Sequence, residues 1–136
     1  MVPFSLRIFI ADGDPDGLRL VERSNWIGKA VMFPRTLLPR IKQREEFSQT
    51  GVYLLIGPRP DGEGEMLYVG EGDPVRPRLE SHFSQRDFWT KAVLFVAGSS
   101  HLNLLESHRL LVPRRYSVAG VKVLSQPGSK LRKVLW

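Results

Sequence analysis

Between Gly51 and Gly72 two apolar runs, GVYLLIGP and MLYVGEG, flank one polar stretch, RPDGEGE. Runs of this length bounded by Gly and Pro predict strands over 52–57 and 66–71 joined by a loop over 58–65. The next segment, DPVRPRLESHF, changes period. Val75, Leu79 and Phe83 recur at helical spacing, and either Asp73-Pro74 or Arg76-Pro77 puts proline at a helix's first position, where its missing N–H costs least. KAVLFVA then returns to a β pattern. SSHLNLLESHRLLV is a leucine-rich helix with Ser100 as its cap and Pro113 as its stop, VAGVKVL adds a strand, and SQPGSKLRKVLW is a tail.

The first third also reads as strands. SLRIFIA and GLRLVERS are separated by the turn DGDPDG, and WIGKAVMF follows Ser24-Asn25. A helix is expected from Thr36 to about Phe47, with Pro39 in its first turn. These elements form a β-rich extension, residues 1–48, packed on the rest of a single compact domain rather than standing as a second one.

A chain of 136 residues with 42% hydrophobic composition can bury a core without staples, and with no cysteine it has no disulfides, no zinc-thiolate site and no thiol nucleophile. No apolar run approaches a membrane span and no basic leader precedes a long apolar core, so the expectation is a cytoplasmic protein with no membrane partner. The charge is uneven. Residues 1–100 hold 13 Lys/Arg and 13 Asp/Glu, whereas residues 101–136 hold 7 Lys/Arg against Glu106 alone, so the whole net charge of +6 is C-terminal. Such asymmetry points to a polyanion, most simply nucleic acid, met in the tail by Lys130, Arg132 and Lys133, with a solvated basic surface as the plain alternative.

Several residues carry candidate chemistry, each beside a simpler reading. Asp12, Asp14, Asp16 and Gly17 fit the first half of a calcium loop, but its twelfth position is Arg23 and strands flank it, so a β-turn explains them better. Arg78 and His82 stand at i and i+4 on one helix face, a fork for phosphate oxygens beside a group that titrates near neutrality, or else a solvated face. Glu106 lies between Leu102 and Leu110 on an apolar stripe and needs a partner there: Arg109 at i+3, a hydrogen bond or a metal. His101 and His108 have no ligand companions at metal-binding spacing. Tyr53 and Tyr68 are ordinary strand tyrosines, or phenols that orient and deprotonate a water.

In order, GVY, YVG with Arg78 ten residues after Tyr68, Arg-x-x-x-His, and a leucine-rich helix with Glu106 resemble the GIY-YIG nuclease superfamily over residues 51 to about 117. The leader GDPDGLRLVERSNWIGKAVMFPR and the segment DFWTKAVLFVA resemble a bacterial and phage-like subgroup with a β-rich N-terminal extension. The resemblance implies an α/β fold of the α+β type, with a small central antiparallel three-stranded sheet flanked by helices and a nuclease core over 49–117. Residues 118–136 would be a strand and a basic tail. It implies hydrolysis of DNA phosphodiesters with one divalent ion, Mg²⁺ or Mn²⁺, held by Glu106. Tyr53 would be the general base, Tyr68 would position the water or the phosphate, and Arg78 and His82 would hold the scissile phosphate. Where many members carry a basic residue after the second tripeptide this chain has Glu71, and Ser117 stands nearest to a position often held by asparagine. A nucleic-acid-binding module with a degenerate site is the rival reading, and a homo-oligomer or a targeting partner is left open.

Overall fold

The computed structural model of the protein describes residues 2–97 and the strand at 122–125. The segment expected to form the leucine-rich helix with Glu106, and the basic tail with Lys130, Arg132 and Lys133, lie outside the described residues. Seven strands form one sheet: β1 (Leu6–Ile10), β2 (Arg19–Arg23), β3 (Gly28–Pro34), β4 (Gly51–Pro58), β5 (Glu65–Gly72), β6 (Lys91–Ala97) and β7 (Lys122–Ser125). Their order in space is β1-β2-β3-β6-β4-β5-β7. The first six pair antiparallel, and β7 joins β5 in parallel. Among the described residues two short helices, α1 (Leu38–Ile41) and α2 (Arg76–Gln85), make the fold mixed α+β.

The central sheet is therefore not three-stranded. The predicted trio is present as β6-β4-β5, but β3 pairs with β6 along its whole length, from Gly28↔Ala97 to Pro34↔Lys91. The extension thus continues the sheet through main-chain bonds. An apolar edge on β6 would otherwise leave a row of N–H and C=O groups without partners. The expected helix over Thr36–Phe47 is also broken into a 3₁₀ turn at Arg35–Leu37, the single turn α1, and a 3₁₀ turn at Glu45–Ser48. Arg44 is extended at the break, and the carbonyls of Lys42 and Arg44 accept from the Arg76 guanidinium at 2.6 and 3.5 Å. Beyond it Phe47 is fully buried, with its ring 5.6 Å from that of Phe33. Tertiary partners for the backbone and for one aromatic ring outweigh the helix's own bonds here. The DGDPDG segment is a turn in which Asp12 accepts from the N–H groups of Asp14 and Leu18, and Asp14 from that of Asp16.

Register decides which residues face the helices. Leu20, Val31, Leu94, Tyr53 and Gly70 follow one another across five strands on one face, with Phe33, Ala92, Leu55 and Tyr68 in the neighbouring rows. All except Gly70 belong to one buried cluster that α1 and α2 complete with Leu38, Ile41 and Leu79. The four glycines of β4 and β5, Gly51, Gly57, Gly70 and Gly72, fall on this same face, so α2 and the loop after it can press close to the sheet.

The C-terminal end of α2 is fastened by a residue from outside it. Arg35 donates through Nη2 to the carbonyls of Phe83 at 2.7 Å and Arg86 at 3.2 Å, and its guanidinium lies over the rings of Phe83 and Trp89. The last carbonyls of a helix lack partners along their own chain, and a cation there also opposes the helix dipole. Arg35→Ala is expected to destabilise the fold by roughly 2 to 3 kcal/mol, the scale of hydrogen bonds to a charged group. Urea unfolding measures this as a lower midpoint at unchanged slope, and Arg35→Lys should recover little because a single ammonium does not reproduce the fork.

Candidate functional site

β4 and β5 place two phenols diagonally on the covered face. Tyr53 stands opposite Gly70, and Tyr68 stands opposite Leu55. A Cβ on Gly70 would lie 2.4 Å from both Cζ and Oη of Tyr53, so the phenol end occupies the space that a side chain would fill. That position brings the Tyr53 and Tyr68 rings to 6.3 Å, nearly parallel at 25°. Above them α2 turns Leu79 and His82 inward, and the His82 ring sits 5.5 Å from Tyr53 and 4.8 Å edge-on from Tyr68. The Tyr53 hydroxyl and His82 Nε2 share a buried hydrogen bond of 2.7 Å.

Three of the residues named from the sequence, Tyr53, Tyr68 and His82, thus form one cluster. Arg78 does not share an open face with His82: it is exposed at the rim, its Cγ near Gly72, while His82 is buried. The 100° step of a helix leaves i and i+4 about 40° apart, enough at the edge of a contact to put one side chain in and the other out. Arg86 was missed. Its guanidinium lies 5.0 Å over the Tyr68 ring, and the signal was available, since Arg78, His82 and Arg86 recur at four-residue intervals. Trp89 was missed as well, and its indole N–H donates to the His82 carbonyl at 3.4 Å. Nothing in its spacing announces that contact.

Burial, then the Arg86 charge, then the Arg78 charge lower the His82 pKa to about 4, so the imidazole is neutral near pH 7. In the neutral ring one nitrogen donates and the other accepts, so Nε2 either takes the phenol proton in a hydrogen bond or gives its own. The same causes disfavour the imidazolium, so a proton gained at Nε2 is not held there at rest. The arginines work in a consistent direction: they disfavour imidazolium and favour any negative charge that develops on the phenol oxygen or on a bound ligand. Glu71 pairs with Val52, so alternation along β5 sends its side chain to the opposite face from Tyr53, Tyr68 and Gly70.

Among the described residues no group of three His, Asp or Glu side chains gathers to hold a metal ion, and no helix is long and apolar enough to cross a membrane. A cavity of about 360 Å³ lies elsewhere, lined by Trp26, Lys29, Glu46 and Gln49 among others, and includes none of the tyrosine cluster. Comparison of the chain with protein-family models, curated proteins and solved structures finds no match.

The lowered His82 pKa makes stability depend on pH. An unfolded chain takes up a proton near the ordinary value of 6.5, whereas the folded one resists until about 4. The contribution is therefore full above 6.5, declines as pH falls through that window, and is lost below the folded value, with a span of roughly 3 kcal/mol. Urea unfolding of the parent and of His82→Gln over this range isolates it. The stability difference between the two should shift in the parent's disfavour as pH falls, and a difference that stays flat would show that His82 is not held neutral.

Proposed function

We propose that the protein is a metal-dependent endonuclease that hydrolyses DNA phosphodiester bonds by a GIY-YIG-type mechanism. The observation that carries this reading is the buried 2.7 Å bond between Tyr53 and His82, with Tyr68 packed against both rings. Support also comes from the core: β4, with Gly51 to Tyr53 at its start, lies between β6 and β5, and α2 follows β5 with Arg78 at its exposed rim. Glu71 supports it too, because its placement on the opposite face removes a nearby negative charge from the phenols.

In this reading Tyr53 Oη gives up its own proton to solvent and, as the phenolate, accepts one from the attacking water, with the Arg78 and Arg86 charges favouring that form. His82 orients the phenol through Nε2, Tyr68 fixes the imidazole plane from its edge, and Arg78 offers its guanidinium fork to the phosphate oxygens. His82 then acts through Tyr53 and not on the phosphate, because its ring is buried and neutral. The ion, Mg²⁺ or Mn²⁺, falls to Glu106 by the resemblance and would supply positive charge to the developing oxyanions. DNA is the partner, with Lys130, Arg132 and Lys133 as backbone contacts.

The second reading, a DNA-binding module without catalysis, is favoured by one observation: Tyr53 and Tyr68 are each at most 1% exposed. A supercoiled-plasmid nicking assay with Mg²⁺ separates the two. The parent should nick, Glu106→Ala should not, and Tyr53→Phe should lose about 10²- to 10⁴-fold while still binding DNA, the loss typical of a positioned acid or base. A parent that binds DNA without metal-dependent nicking establishes the module instead, and a Tyr53→Phe variant that cuts at the parental rate removes Tyr53 as the base.

A further inference from the structure

Among the described residues β1 ends the sheet, and all five of its residues are exposed. Together with Val2 and Phe4 it carries six large apolar side chains, Val2, Phe4, Leu6, Ile8, Phe9 and Ile10, between 39% and 73% exposed. Strand alternation puts Phe4, Leu6, Ile8 and Ile10 on one face and Arg7 and Phe9 on the other. Soluble proteins blunt such an edge with lysines, prolines or bulges. Here the register with β2 runs unbroken from Leu6↔Arg23 to Ile10↔Arg19, and residues 6–10 contain no proline and a single charge, Arg7.

We infer that β1 is the interface of a two-fold homodimer, in which two copies pair edge to edge and antiparallel about Ile8 to continue the sheet across both chains. Three features select a second copy as the occupant. The strand is complementary to itself in this register: Leu6 meets Ile10 of the other copy, Ile8 meets Ile8, and Arg7 meets the Phe9 ring. Within the chain an arginine already adopts that kind of contact, with Arg23 4.0 Å over the Phe4 ring. Charge agrees with this direction. Arg7 lies near the strand's start with Glu22 and Arg23 across from it on β2, Arg19 stands across from Ile10 at its end, and the turn that follows carries Asp12, Asp14 and Asp16, so antiparallel pairing sets each acidic turn towards the other copy's Arg7 and Arg23. Area is compatible. At roughly 150 to 200 Å² per large apolar side chain, the exposed fractions amount to on the order of 600 Å² per chain, a ceiling on what pairing buries that equals the lower bound for a specific dimer.

The pairing is isologous and closed, so it stops at two copies, and it leaves both Tyr53–His82 clusters on the same side of the joined sheet. It stands whether or not the chain cuts DNA.

The test uses the full chain, which has no cysteine of its own. Sedimentation velocity should show a dimer at tens of micromolar. Ile8→Lys places two like charges side by side on the axis and should give a monomer with unchanged circular dichroism and a melting temperature that no longer rises with protein concentration, since Ile8 lies outside the buried cluster. Ile8→Cys puts two thiols on strands whose paired Cα atoms are about 4.5 to 5.5 Å apart, within disulfide range. Mild oxidation should link that variant into a covalent dimer and leave Ile27→Cys, exposed off the strand, unlinked. A parent that stays monomeric, a dimer that survives Ile8→Lys, assemblies larger than two, or equal cross-linking at Ile27 each overturns the proposal. The first of these would leave the edge to a strand from a different protein.

Discussion

The phenol end of Tyr53 lies where a side chain on Gly70 would be, and the rest of the covered face is arranged around that substitution of a ring for a Cβ. The hydroxyl meets His82 there, the imidazole holds its edge to Tyr68, and Arg86 closes over the second phenol. Gly57 performs the matching service at the other end of β4, where a Cβ would lie 1.9 Å from the Phe88 carbonyl and would push away the loop that carries Trp89. Gly51 and Gly72 do the same under Val75. A helix held this close excludes water from the rings beneath it, and that exclusion gives a neutral histidine and a dry hydrogen bond their character.

Two arginines from outside the cluster keep this arrangement in place. Arg35 holds the last carbonyls of α2, and Arg76 holds the chain near α1 through the carbonyls of Lys42 and Arg44. Both bridge sequence separations of more than 30 residues and tie the extension to the strand-helix core in addition to the β3-β6 ladder. The extension is accordingly a structural part of the platform beneath the tyrosines. The positive charge that these links and α2 concentrate also favours an anion at the rim, where Arg78 is exposed.

Local pattern was enough for most of the elements. The runs GVYLLIGP, MLYVGEG and KAVLFVA became β4, β5 and β6 within a residue or so of their apolar limits, and proline at the start of α2 fell in its first turn. The helix expected over Thr36–Phe47 failed because Arg44 breaks it for contacts made with residues far along the chain. Of the site, Tyr53, Tyr68 and His82 were named from the sequence, and the structure gathers them. Arg86 was not, although it continues the four-residue spacing of Arg78 and His82, and Arg35 and Trp89 were not because nothing in their spacing tells what they touch.

By itself the sequence determined the strands β4, β5 and β6 and the helix α2, which side chains could take part in proton transfer or phosphate binding, and where the charge is concentrated, since each depends on neighbours within a few residues. Only the tertiary structure decided that the extension lengthens the sheet, that His82 turns inward to Tyr53 while Arg78 stays outside, and that Glu71 points away from both phenols. Strand order, register and helix rotation come from main-chain pairing and packing between segments distant in the chain. A one-residue shift in register would move every one of these side chains to the other face.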